Sequence, residues 1–143
     1  MSGTALVVRT RRPGALLIGA EAGASPVWTR ALAAGRPVTV EVRPTRADGL
    51  AGNMEPDSIT FDLVRALVDR VVSVDEGAIG SAMRDLLAKE GTVAEGAAAT
   101  AVAALLQPYS RLELAGRRIG VILSGRNVDR PAADVIPREG PSS

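Results

Sequence analysis

The sequence predicts an α/β domain in which a mostly parallel sheet is flanked by helices. Three observations carry that expectation. Short aliphatic runs bounded by Gly and Pro alternate with stretches whose apolar residues recur every three or four positions. Hydrophobic residues make up 46% of the chain, yet its aromatics are Trp28, Phe61 and Tyr109 alone. Ala, Val, Leu and Ile therefore supply the core, as suits helices laid on short aliphatic strands. A length of 143 residues allows one such core and is short for an enzyme built on a parallel sheet.

The elements follow in order. Ser2 is placed to cap a helix running to about Thr10, which Pro13-Gly14 would end. "ALLIGAEA" (15–22) reads as a buried strand. Ser25-Pro26 has the N-cap and first-turn pattern of a helix that passes Trp28, Leu32 and Ala33 and stops at Gly35. A short strand is expected over Val38 to Val42, then a long loop rich in turn residues.

Asp57 or Ser58 opens a helix with Phe61, Leu63, Val64, Leu67 and Val68 at helical spacing, and "RVVSV" (70–74) is the next strand. Asp75-Glu76 opens an amphipathic helix with Ile79, Met83, Leu86 and Leu87 on one face. An Ala-rich helix runs from about Glu95 to Leu106, followed by a linker containing Tyr109. "RRIGVILSG" (117–125) is the last expected strand, and its end puts Ser124-Gly125 where parallel sheets take ligands. Residues 1–132 form the expected domain; the Pro, Gly and Ser-rich stretch 133–143 is expected to be a disordered tail.

Composition narrows the function classes. Seventeen basic and sixteen acidic residues leave a net charge of +1, so no global field recruits nucleic acid or anionic membrane. Arg9, Arg11 and Arg12 close a helix, where they offset its dipole. The absence of Cys and His excludes disulfides, thiol chemistry, Ser-His triads and most zinc sites. "MSGTALVVRTRRPG" lacks the features of a signal peptide, and "GAAATAVAALL" (96–106) is too short to cross a bilayer. The expectation is a cytoplasmic protein.

Five motifs in order carry a family resemblance: "GAEA" (19–22), "ADGLAG" (47–52), "VDRVVSVDEGAI" (68–79), "VAEGAAATAVAALL" (93–106) and "VILSGRNVD" (121–129). Together they resemble the second half of the threonine and serine dehydratases, with serine racemase among their kin. These are pyridoxal-phosphate enzymes of the tryptophan synthase β-subunit fold, fold type II. The resemblance implies a partial parallel sheet with flanking helices, and a cofactor that carries the carbanion chemistry. It implies an α,β-elimination that converts a hydroxy amino acid to a 2-oxo acid and ammonia.

The resemblance also implies site residues. Ser124, in the turn Ser124-Gly125, matches a hydroxyl placed against the pyridine nitrogen, while Arg126 stands where the family has a second Gly. A hydroxyl donates one hydrogen bond to a neutral ring nitrogen and does not keep it protonated. Gly49 matches a Gly whose backbone lies close to the cofactor; its other reading is a Gly needed only for a turn. Glu95 matches an acidic position near the floor of the site, or serves as a carboxylate in the first turn of a helix. Glu21 and Ser25 match a cation site, with Val27 where divalent-binding members carry a further carboxylate.

Two parts of the family's machinery have no match. The single Lys, Lys89, lies four residues after Asp85 on a helix surface, the arrangement of an exposed ion pair and not of the lysine that bonds to the cofactor aldehyde. No Gly-rich phosphate loop occurs; in the family that loop comes just before the segment resembling "MSGTALVV". The expectation is a fragment, inactive alone, with a small amino acid as substrate of the full enzyme and either a homo-oligomer or a missing N-terminal half as partner. Two alternatives stand beside it: a non-catalytic remnant that binds a partner or ligand, and a related lyase or racemase.

Overall fold

The structure, a computed structural model, describes residues 1–107 and 114–125. Helix α1 (Ser2–Arg11) leads into strand β1 (Ile18–Ala22) and helix α2 (Val27–Ala34). A 3-10 turn (Asp48–Leu50) interrupts the long loop, and α3 (Ile59–Leu67), β2 (Arg70–Val74), α4 (Glu76–Glu90) and α5 (Gly96–Leu106) follow. β1 and β2 pair in parallel, Ile18 opposite Arg70 and Ala22 opposite Val74. The expected mixed α/β architecture is present, with a two-stranded sheet among the described residues. No described helix is long and apolar enough to cross a membrane.

Where elements begin depends on who takes their hydrogen bonds. α1 starts from Met1, and no side chain caps it. The strand expected from Ala15 starts at Ile18, because the Leu17 N–H donates to the Asp69 carboxylate (2.7 Å) and the Asp69 N–H to the Leu17 carbonyl (3.0 Å). Ser25 does not cap α2; its hydroxyl is engaged with Gly52. The Gly35 stop is as expected, at φ 68°, a conformation that suits glycine. Asp75 caps α4 through the Ala78 N–H at 2.8 Å. Ser58 precedes α3 without capping it.

Two expected strands do not form. Over Val38 to Val42 the backbone finds a side-chain partner instead: the Asn53 amide accepts from the Val40 N–H (2.7 Å) and donates to the Val40 carbonyl (3.1 Å). Over 117–125 no strand lies alongside among the described residues, and Ile119, Val121, Ile122 and Leu123 are exposed. Ser124-Gly125 therefore does not end a strand. The linker around Tyr109, Arg126 and the expected tail 133–143 lie outside the described residues.

The core lies between the sheet and the α4–α5 pair, where Ala22, Val74, Ile79, Ala82, Leu86, Ala98, Ala99 and Ala103 are buried together. Small side chains on α5 let it approach both α4 and the strands. Leu87, expected on the inner face of α4, is exposed, and Ala82 takes the inward position. On the other side of the molecule Arg9 ties α1 to the strand starts. Its guanidinium donates to the carbonyls of Leu67, Pro13 and Ala15 and pairs with Asp69 at 2.6 Å.

Candidate functional site

Four sequence-derived positions gather at the N-terminal end of α5. Glu95 is the residue before its first turn, and its carboxylate does not cap the helix. It lies over Gly125 instead, so that a Cβ at 125 would overlap the Glu95 side chain. The Glu95 N–H donates to the Gly125 carbonyl at 3.3 Å, which joins residues thirty apart. Gly125 is buried, while Ser124 beside it is exposed and its hydroxyl has no hydrogen bond among the described residues.

Gly49 approaches the same helix end from the 3-10 turn. A Cβ there would stand 3.3 Å from the Cβ of Ala97. Its φ is not positive, so the turn itself does not demand glycine. Close approach to α5 is what the missing side chain permits.

Sequence reasoning missed the residues that hold Gly49 there. At Gly96 a Cβ would overlap the carbonyl of Arg46, so this glycine lets the 46–47 backbone lie directly on α5. Glu76 accepts from the Arg46 N–H at 2.8 Å and from the Thr45 hydroxyl. A glycine in the first turn of an Ala-rich helix is the signal that was available, since it weakens the helix unless something packs against it.

Glu21 and Ser25 lie apart from this cluster in the chain and do different work. Both are buried. Glu21 accepts from the Trp28 N–H (2.8 Å), the Ser73 hydroxyl (3.0 Å), the Thr29 N–H (3.2 Å) and the Thr29 hydroxyl. It thus holds the start of α2 against β2, a carboxylate at a helix N-terminus. The Ser25 carbonyl accepts from the Val27 N–H at 2.9 Å. A hard cation needs several oxygen ligands, whereas this carboxylate is surrounded by donors and no three His, Cys, Asp or Glu residues cluster among the described residues. Lys89 is exposed and pairs with Asp85 at 3.0 Å, the surface ion pair its spacing predicts.

The profile of the family described as "Pyridoxal-phosphate dependent enzyme" matches residues 1–125. The L-threonine ammonia-lyase of Thermotoga maritima is 36% identical over 140 residues, 98% of this chain and 34% of that protein. Among solved structures, maize serine racemase superposes with a TM-score of 0.83 at 32% identity, over 92% of this chain and 41% of the other. The processed threonine deaminase isoform 2 of Solanum lycopersicum gives 0.85 at 25% identity, over 94% and 39%. The chain spans about a third of the length of the curated relative it matches. The fold is that of the fold type II enzymes, and the chain belongs to the family of pyridoxal-phosphate dependent enzymes.

Proposed function

We propose that this chain forms one wall of the cofactor site in a threonine/serine dehydratase-like enzyme, and that the covalent lysine and phosphate loop come from polypeptide beyond these 143 residues. The observation that carries the reading is the meeting of Glu95, Gly125 and Gly49 at the start of α5, within the stretch that matches the family.

The residues present fit one end of pyridoxal phosphate. Ser124 offers an exposed hydroxyl without a partner among the described residues, next to bare backbone at Gly125. That suits a single hydrogen bond to the ring nitrogen. The aldehyde end has no fit here, because the sole lysine is tied to Asp85 on the surface. When bound, the cofactor supplies an electron sink for negative charge at the substrate α-carbon.

The chain's own residues act around it. Ser124 would hold the ring nitrogen through one donated hydrogen bond, a partner that does not keep that nitrogen protonated and so would suit elimination over transamination. Gly49, whose bare backbone approaches α5, would line the ring. Glu95 is a positioning residue: its backbone N–H holds Gly125, and with it Ser124, against α5, and its side chain lies over Gly125. The substrate is a hydroxy amino acid, and the products are a 2-oxo acid and ammonia.

The test uses the purified chain, alone and mixed with the lysine-bearing part of a family relative, with threonine or serine and pyridoxal phosphate. Alone it should form no 2-oxo acid; in the mixture 2-oxo acid should appear, and Ser124→Ala should slow its formation about tenfold, the scale of one lost hydrogen bond. 2-Oxo acid production by the chain alone would defeat the shared-site reading. Silence of the mixture, with both parts folded and associated, would favour a non-catalytic role. Inversion at the α-carbon without 2-oxo acid would identify a racemase.

A further inference from the structure

A second feature stands apart from the α5 cluster and shares no residue with it. Where α1 ends and β1 has yet to begin, Arg11, Arg12, Pro13, Gly14 and Ala15 line an open cavity of about 660 Å³, closed from the other side by Arg118. Three arginines from two distant parts of the chain thus line one space, and no carboxylate among the described residues lines it. None of the three makes a side-chain hydrogen bond or ion pair among the described residues. The contrast with Arg9, one turn earlier and fully engaged with Asp69 and three carbonyls, is plain.

The end of a helix would ordinarily repel an anion, since its free carbonyls carry roughly half a negative charge. Here three cationic side chains outweigh that half charge. Val8 and Arg12 accept from the N–H groups of Arg12 and Ala15, and Pro13 and Ala15 accept from the Arg9 guanidinium. The charged side chains that line the cavity are all cationic among the described residues. Like charges gathered around one space repel, and a bound anion relieves that cost. Guanidinium presents paired N–H donors that match the oxygens of phosphate. Gly14 adds bare backbone with open space around it.

We propose that the cavity between the α1–β1 turn and Arg118 binds a compact phosphate-bearing anion. Neither the family match nor the reading of the cofactor wall bears on it. Calorimetric titration of the full purified chain with inorganic phosphate, pyrophosphate and glycerol phosphate, and with succinate as a carboxylate control, tests the site. Binding of the phosphate ligands should weaken about tenfold in Arg118→Gln. A similar weakening in Arg12→Gln, on the other segment, covers the case in which the first variant fails to fold. Lys89→Gln removes the same unit of charge from a remote surface and should leave affinity unchanged. Tighter binding of glycerol phosphate than of inorganic phosphate points to an esterified ligand, and the reverse to the free ion; either supports the site. Absence of binding to the wild-type chain, equal losses in Lys89→Gln and Arg118→Gln, or succinate binding as tightly as phosphate would overturn it.

Discussion

"RVVSV" (70–74) and "GVILS" (120–124) read alike, as short aliphatic stretches flanked by polar residues or glycine, yet the structure treats them in opposite ways. The first is β2: it pairs with β1 residue for residue and brings Val74 to full burial under α4 and α5. The second has no strand beside it among the described residues, and Ile122 is 62% exposed. Local preference is the same in both. What differs is a partner, because a strand gains stability from the ladder and face it covers and not from its own residues.

The contrast can be pressed hardest in the core that β2 helps enclose. Ile79→Ala removes a fully buried side chain between sheet and helices, and should cost about 2–5 kcal/mol in urea unfolding. A loss under about 1 kcal/mol would mean the core is looser than its packing implies.

The two stretches can then be compared directly. Val74→Thr places a hydroxyl where the side chain is buried and should cost about 1–3 kcal/mol. Ile122→Thr, the equivalent change on the exposed stretch, should stay within about 0.5 kcal/mol. Equal costs would show that the second stretch is covered in solution. Reduced self-association of Ile122→Thr, measured by light scattering, would show that its exposed apolar surface is sticky.

The glycines at the site divide along the same line. Gly96→Ala drives a methyl into the backbone of Arg46, which cannot move without displacing the whole segment, and should cost about 1–3 kcal/mol. At Gly125 the obstacle is the Glu95 side chain, which can rotate away. Gly125→Ala should therefore lie within about 1 kcal/mol while releasing 117–125 to faster amide exchange. Equal destabilisation by both would mean that Glu95 is held rigidly over Gly125.

The smallest expected effect concerns Asp69. The Leu17 N–H first, and then the Arg9 guanidinium, hold its carboxyl below the ordinary aspartate range. A lowered folded pKa stabilises the fold at pH values above the unfolded pKa, near about 3.9. That contribution fades as pH falls below it and through the folded pKa. Melting temperatures of wild type and Asp69→Asn should differ by a constant amount from neutral pH down to about pH 5 and converge below about pH 4. A gap that persists into strong acid would assign the effect to packing.

Several elements were legible because their determinants lie within one turn of each other. Asp75 before an amphipathic run, Gly35 after one, and Asp85 four residues before Lys89 each act over a few residues, and each behaves in the structure as its spacing predicts. Of the candidate site, the ordered motifs named the family, and Glu95, Gly125 and Gly49 were singled out from them. Their meeting at one helix end was not legible, since it depends on Gly96 admitting the backbone of Arg46 and on Glu76 holding that segment in place.

By itself, then, the sequence determined the alternation of helices and strands, the family, and the lack of a free lysine for the cofactor. Tertiary structure alone decided that Val38 to Val42 would be tied by the Asn53 amide instead of by a strand, and that 117–124 would lie open. It also decided that Glu21 would anchor the start of α2. The physical reason is common to all three. A hydrogen-bonding group or an apolar face goes to whichever partner the fold brings within reach, and that partner lies many residues away, where local pattern carries no information.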